Sequence, residues 1–134
     1  MQIHDEAVRY KEELLQKSGW KWLGGYQLDF IKNVPVMVAV LGNSRKSGAD
    51  MLMEETACAW RDACGAAIQN IMLTASSLAL SSLWFTMFNR KALSDILPDR
   101  EEGGEPLALV FLGKAAGKHV CSPRIELEKK VTYL

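Results

Sequence analysis

From Ala63 to Asn89 the chain carries no charged residue, and this uncharged stretch constrains the fold more than any other feature. It is long enough to cross a bilayer on length alone. Its composition argues for a different setting. Gln69, Asn70, Thr74, Ser76, Ser77, Ser81, Ser82 and Thr86 are scattered through it, and no basic cluster marks one flank alone. Small residues in and before it (Ala57, Ala59, Ala63, Gly65, Ala66, Ala67, Ala75) let neighbouring backbones come close. The stretch therefore predicts a central helix covered on most sides within a layered domain of helices and sheet, and no membrane span.

The rest of the composition agrees with a folded domain. The chain has 134 residues, the size of a single domain. With 49% hydrophobic residues it can bury a core without disulfide or metal staples. Sixteen basic residues balance 16 acidic ones, which speaks against broad electrostatic capture of nucleic acid or of an anionic membrane. Small molecules or other proteins are the expected partners. Cys58, Cys64 and Cys121 form no C-x-x-C pair, and His4 and His119 lie far apart, so the spacing of a zinc site is absent and no metal is expected. The residues after Met1 are not those of a secretory leader, and with unpaired thiols this predicts a cytoplasmic protein.

Read in order, Asp5 to Lys17 predicts an amphipathic helix with Ser18-Gly19 as its stop. Trp20, Trp22, Tyr26 and Phe30, broken by Gly24-Gly25, predict a short helix and loop lying over the core or against a partner subunit. Val36 to Leu41 is a solid apolar run, expected as a strand buried on both faces. The longest helix is expected from about Met53 to Leu80, with Trp60, Cys64, Ala67, Ile68, Ile71, Ala75 and Leu78 at helical spacing. Leu83 to Phe88 reads as an extended turn. Asn89 is placed to cap a short helix through Leu97, ended by Pro98. Leu107 to Leu112 is a second doubly buried strand. Two strands are few for a layered sheet, so a C-terminal segment, a second subunit or further sequence should complete it.

No local motif of catalysis stands out, and no catalytic residue is assigned. The loop Asn43 to Gly48 resembles a phosphate cradle but lacks the G-K-[ST] ending, and reads better as a solvated loop. His119 could serve as a general base, although a lone loop histidine is more often simply solvated. Glu54-Glu55 could pair as acid and base, but at a helix start they complement its dipole.

The segment from Trp60 to Ala75 resembles the central helix of the nitroreductase family, the FMN-dependent NAD(P)H oxidoreductases. The likeness continues through Leu78 to Phe88, where that family shows G-L-G-[ST]-x-W-[IL]-G-x-[FL]. It extends to the strand Leu107 to Gly113 and to Ser122-Pro123-Arg124, which resembles the family's K-x-R phosphate clasp. Altogether it spans about residues 34–130. The resemblance implies an α+β fold, a three-layer α-β-α sandwich, in a homodimer with FMN at the subunit interface. It implies that the backbone at Leu83, Trp84, Phe85 and Thr86 runs along the flavin ring, with amides that steady the negative charge of the reduced ring. It implies that Arg124 and Ser122 hold the phosphate, the arginine as a permanently charged fork.

Three departures accompany the likeness. Ala79, Ser81 and Thr86 stand where the family carries glycines, Ser122 stands where it often has lysine, and the family's N-terminal R-[RS]-S-[VIT]-R-x-[FY] and P-S-x-x-N segments have no counterpart. The expected domain, residues 1–134, is thus N-terminally shortened against the family: either a shortened relative or a family member missing its front. Two functions follow. The first is an FMN-dependent oxidoreductase that uses NAD(P)H to reduce a small-molecule electron acceptor such as a nitro compound or quinone. The second is a dimeric or partner-binding protein of the same fold that has lost flavin and activity.

Overall fold

The computed structural model describes residues 2–43, 45, 48–53, 59–97, 104–115, 117 and 123–132. Helix α1 (Gln2–Ser18) ends where the sequence predicts: Gly19 adopts φ +66°, and its N–H donates to the Leu15 carbonyl at 2.9 Å. A single helical turn, α2 (Lys21–Gly24), and a 3-10 turn (Asp29–Lys32) follow. Leu23, Leu28 and Ile31 from this region enter the core, whereas Trp20 and Trp22 stack on each other at 6.0 Å with more than half their surface exposed.

Three strands form one antiparallel sheet in the order β1-β3-β2, where β1 is Val36–Asn43, β2 is Ser81–Phe85 and β3 is Gly104–Gly113. β3 is central, and Pro106 and Ala108 to Phe111 on it are buried. That matches the doubly buried strand expected there. β1 differs from expectation: it lies at the sheet edge and its residues are only half-buried or exposed. An unbroken apolar run signals cover on both faces, but the third direction, along the hydrogen-bonding edge, leaves no trace in hydropathy. β2 also corrects the expected turn. Five residues there pair with β3 from Ser81 opposite Gly113 to Phe85 opposite Leu109, so the chain itself supplies a third strand.

Successive residues of β3 point to opposite faces, and this period of two sorts the core into two layers. Leu109 and Phe111 pack with Ala7, Leu28, Ile31, Phe85, Phe88 and Leu93, which come from α1, the turns behind it, β2 and its exit, and helix α4 (Arg90–Ile96). Ala108 and Val110 pack with Ile68 of helix α3 (Ala59–Ser77). Helices thus cover both faces, and the domain is the three-layer α-β-α sandwich.

α3 occupies the middle of the expected long helix; residues 54–58 lie outside the described ones. It is not covered on most sides. Only Ile68 and Ala75 are buried, and Ala63, Ala66, Asn70, Leu73, Thr74 and Ser77 form an exposed outer face. Its inner face sits close to the sheet because β1 carries a glycine there. A Cβ at Gly42 would lie 2.4 Å from the Trp60 ring and 2.8 Å from the Cys64 sulfur. The helix ends in a Schellman arrangement: Leu80 N–H donates to Ala75 O at 2.9 Å, and Ala79 N–H donates to Ser76 O at 3.0 Å. Ala79 holds φ +56°, the one non-glycine with positive φ among the described residues. It is one of the positions at which the resemblance predicts glycine.

Candidate functional site

The charges that bound the neutral stretch, Asp62 and Arg90, are 28 residues apart in sequence and line one cleft. α3 packs against all three strands, and β2 follows it antiparallel to the central strand on the way to α4. This fold-back brings Arg61 and Asp62, at the start of α3, beside Arg90 and Lys91, at the start of α4. Between them lies a cleft of about 940 Å³, walled also by Tyr10, Gly65, Trp84, Thr86, Phe88, Asn89 and Leu107. Its size and mixed lining are those of a small-molecule site.

Each wall has a physical reason to be where it is. Asn89 caps α4 by accepting from the Ala92 N–H at 3.1 Å, as its sequence position predicts. The turn before it is tied to α1: the buried Glu6 carboxylate accepts the Asn89 N–H at 3.0 Å and two bonds of 2.8 Å from Arg9. The Arg9 hydrogen bond holds the Glu6 carboxyl below its ordinary pKa, against the opposing effect of burial. Across the cleft, Glu105 of β3 receives Arg90 Nη1 at 3.2 Å and Arg61 Nη2 at 3.8 Å on the same oxygen, Oε1. The Arg61 guanidinium also lies over the Trp60 ring, 5.1 Å from its centre. Gly65 on α3 leaves the edge of the Trp84 ring uncovered, with room for no more than ordinary contact if a side chain were added.

The residues singled out from the sequence separate in space. Trp84 and Thr86 line the cleft. Leu83 points to the opposite face of β2, into a groove of about 360 Å³ with Phe30, Pro35 and Phe111. Phe85 is 3% exposed, in the core among Phe30, Phe88 and Phe111. Arg124 is exposed, is not among the residues that line the cleft, and forms no ion pair among the described residues. Ser122, His119, Glu54, Glu55, Cys58 and Cys121 lie outside the described residues. Cys64 is half-buried, its sulfur 3.8 Å from the Leu41 carbonyl. Among the described residues no group of His, Cys, Asp and Glu could hold a metal, and no helix is long and apolar enough to cross a membrane.

Sequence reasoning missed Tyr10, Arg61, Arg90 and Lys91 as site residues. For the three cations the one signal is position: Arg61 precedes the neutral stretch and Arg90-Lys91 follow it.

The nitroreductase family profile matches residues 4–114. No curated protein matches the chain. Among solved structures it is similar to a Bacteroides thetaiotaomicron protein provisionally assigned as an NADH dehydrogenase/NAD(P)H nitroreductase. That pair has 24% identity and a TM-score of 0.60, over 81% of this chain and 60% of that one. It is also similar to a nitroreductase family protein from Clostridium difficile, at 24% identity and TM-score 0.58, over 77% of this chain and 61% of that one. A nitroreductase family protein from Streptococcus pneumoniae shares 18% identity and a TM-score of 0.57, over 97% of this chain and 60% of that one. The chain therefore spans about three-fifths of the length of these structures. With most of its length matched by the family profile and its three layers matched by these folds, the chain belongs to the nitroreductase family.

Proposed function

We propose that the chain binds FMN in the cleft between α3 and α4 and serves as an NAD(P)H-dependent flavin oxidoreductase. One observation carries the reading: β2 brings Trp84 and Thr86 into a roomy cleft whose rim holds the cations Arg61, Arg90 and Lys91. Those residues suit the chemistry of the group. The half-exposed Trp84 ring offers a planar apolar wall to a planar ring. β2 has a strand on one side only, so its outer edge leaves N–H groups able to donate to the polar rim of a ring. The cations suit an anionic tail. When bound, the flavin supplies the redox step, taking hydride from NAD(P)H and passing electrons to a nitro compound, quinone or similar small acceptor. Ser122 and Arg124 are the alternative holders of its phosphate by family likeness.

The same reading takes the protein to be a homodimer, supported by the uncovered outer face of α3, where Ala66, Asn70, Leu73 and Ser77 recur at helical spacing. A clean monomer by light scattering at micromolar concentration would remove that part. A cytoplasmic location accords with the reading.

A second reading keeps the fold and the dimer but not the flavin. It is favoured by Ala79, which occupies a positive-φ position where the family carries glycine, and by the side chains of Ser81 and Thr86 at two more such positions. Incubation with FMN, desalting and a visible spectrum separate the two. Retained flavin bands that bleach with NAD(P)H are the expected result; a colourless protein overturns the first reading in favour of the second.

A further inference from the structure

Resting on the flavin reading, we infer that Arg61, Arg90 and Lys91 form the phosphate subsite of the cleft and that its preferred ligands are planar heteroaromatics carrying a phosphate. Three cations from two helices converge on one cleft, and the described residues around them do not account for all of them. Arg61 and Arg90 share a single carboxylate oxygen, Glu105 Oε1, which leaves most of their N–H donors unused. Lys91 is exposed and has no ion pair or hydrogen bond among the described residues. Among the described residues, the negative groups that line the cleft or pair with these cations are Asp62 and Glu105, two against three. Like charges gathered without enough counter-charge repel one another, and an anionic ligand relieves that repulsion. Trp60 beneath Arg61 restricts the guanidinium, so less freedom is lost when it binds a phosphate. The apolar side of the same cleft, Trp84 with Leu107 and Phe88, sets the second requirement, a flat ring attached to the anion.

Paired ligands that differ only in the phosphate test this. FMN and riboflavin are titrated by fluorescence quenching against the unaltered chain and against Lys91→Gln, Arg90→Gln, Arg124→Ala and, as a control on an exposed lysine away from the cleft, Lys21→Gln. FMN should bind more tightly than riboflavin, by roughly tenfold for each charge-assisted bond engaged. Added salt should narrow that gap. Lys91→Gln and Arg90→Gln should narrow it too while leaving riboflavin binding and the urea midpoint nearly unchanged; Arg124→Ala and Lys21→Gln should preserve it. Equal binding of the two flavins, or a gap that survives both cleft substitutions, overturns the inference, and loss of the gap in Arg124→Ala moves the phosphate there. If neither flavin binds, the flavin reading fails, and nicotinamide mononucleotide against nicotinamide riboside then decides the subsite. A preference for the phosphorylated ligand that Lys91→Gln removes supports it, and no preference overturns it.

Discussion

The two faces of the one sheet are built to different standards. Toward α1 and α4, the sheet presents Leu109, Phe111 and Phe85 to a closed cluster in which Phe111 lies 5.2 Å from Phe85 and 5.5 Å from Phe30, ring centre to ring centre. Toward α3 it presents Ala108 and Val110, and among the described residues α3 itself buries only Ile68 and Ala75. The first face is a core. The second is a platform, close-packed at Gly42 but open along the outer side of α3 and at the cleft beside its first turn. Aromatic mass on one side lets the other side hold exposed apolar surface without loss of the fold.

The sharpest way to break this comparison is to hollow out each face in turn. Phe111→Ala should cost about 3–5 kcal/mol in urea unfolding, whereas Ile68→Ala should fall near the low end of a range of about 2–5 kcal/mol. Equal costs for the two would mean that α3 is as firmly held as α1.

Acid probes the first face alone. Glu6 ties Arg9 and the Asn89 N–H together, and its folded pKa lies below its ordinary value of 4.5, chiefly through the Arg9 hydrogen bond. A depressed carboxyl pKa adds stability above the unfolded-state pKa, and that stability is lost as pH falls through the folded value. Glu6→Gln should therefore cost about 1.5–3 kcal/mol near neutrality and flatten the loss of stability below pH 4.5. An unchanged acid limb would show that the tie carries no weight.

The smallest effect belongs to the second face and has the opposite sign. Ala79 holds φ +56° to close α3, a conformation that a Cβ disfavours. Ala79→Gly should stabilise the chain by about 0.5–1 kcal/mol, read as a raised urea midpoint. A loss of stability would mean that the Ala79 methyl packs more productively than its backbone strain costs.

Much of this design is legible in the residues. Gly19 ends α1, Asn89 caps α4 and the run Leu107 to Leu112 is buried on both sides, because each depends on local backbone chemistry or on hydropathy. The likeness of Trp60 to Phe88 to the nitroreductase family also stands in the chain itself. The errors share a cause. Val36 to Leu41 reads like Leu107 to Leu112, yet one is an edge strand and the other central, since hydropathy is blind to which neighbour a strand's N–H groups will find. Leu83 to Phe88 reads as a turn, whereas Ser81 to Phe85 is a strand, because five residues are too few for a clear period and the pairing partner lies far downstream.

By itself, then, the sequence determined most of the elements, the caps of α1 and α4 and the family, all of which rest on neighbours within a few residues or on a pattern repeated along one segment. Only the tertiary structure decided which face of α3 stays open, and that Arg61, Arg90 and Lys91 share a cleft with Trp84 and Thr86. A helix packed on the sheet and the strand that follows it bring together charges from both ends of a neutral stretch, and no local pattern encodes that meeting.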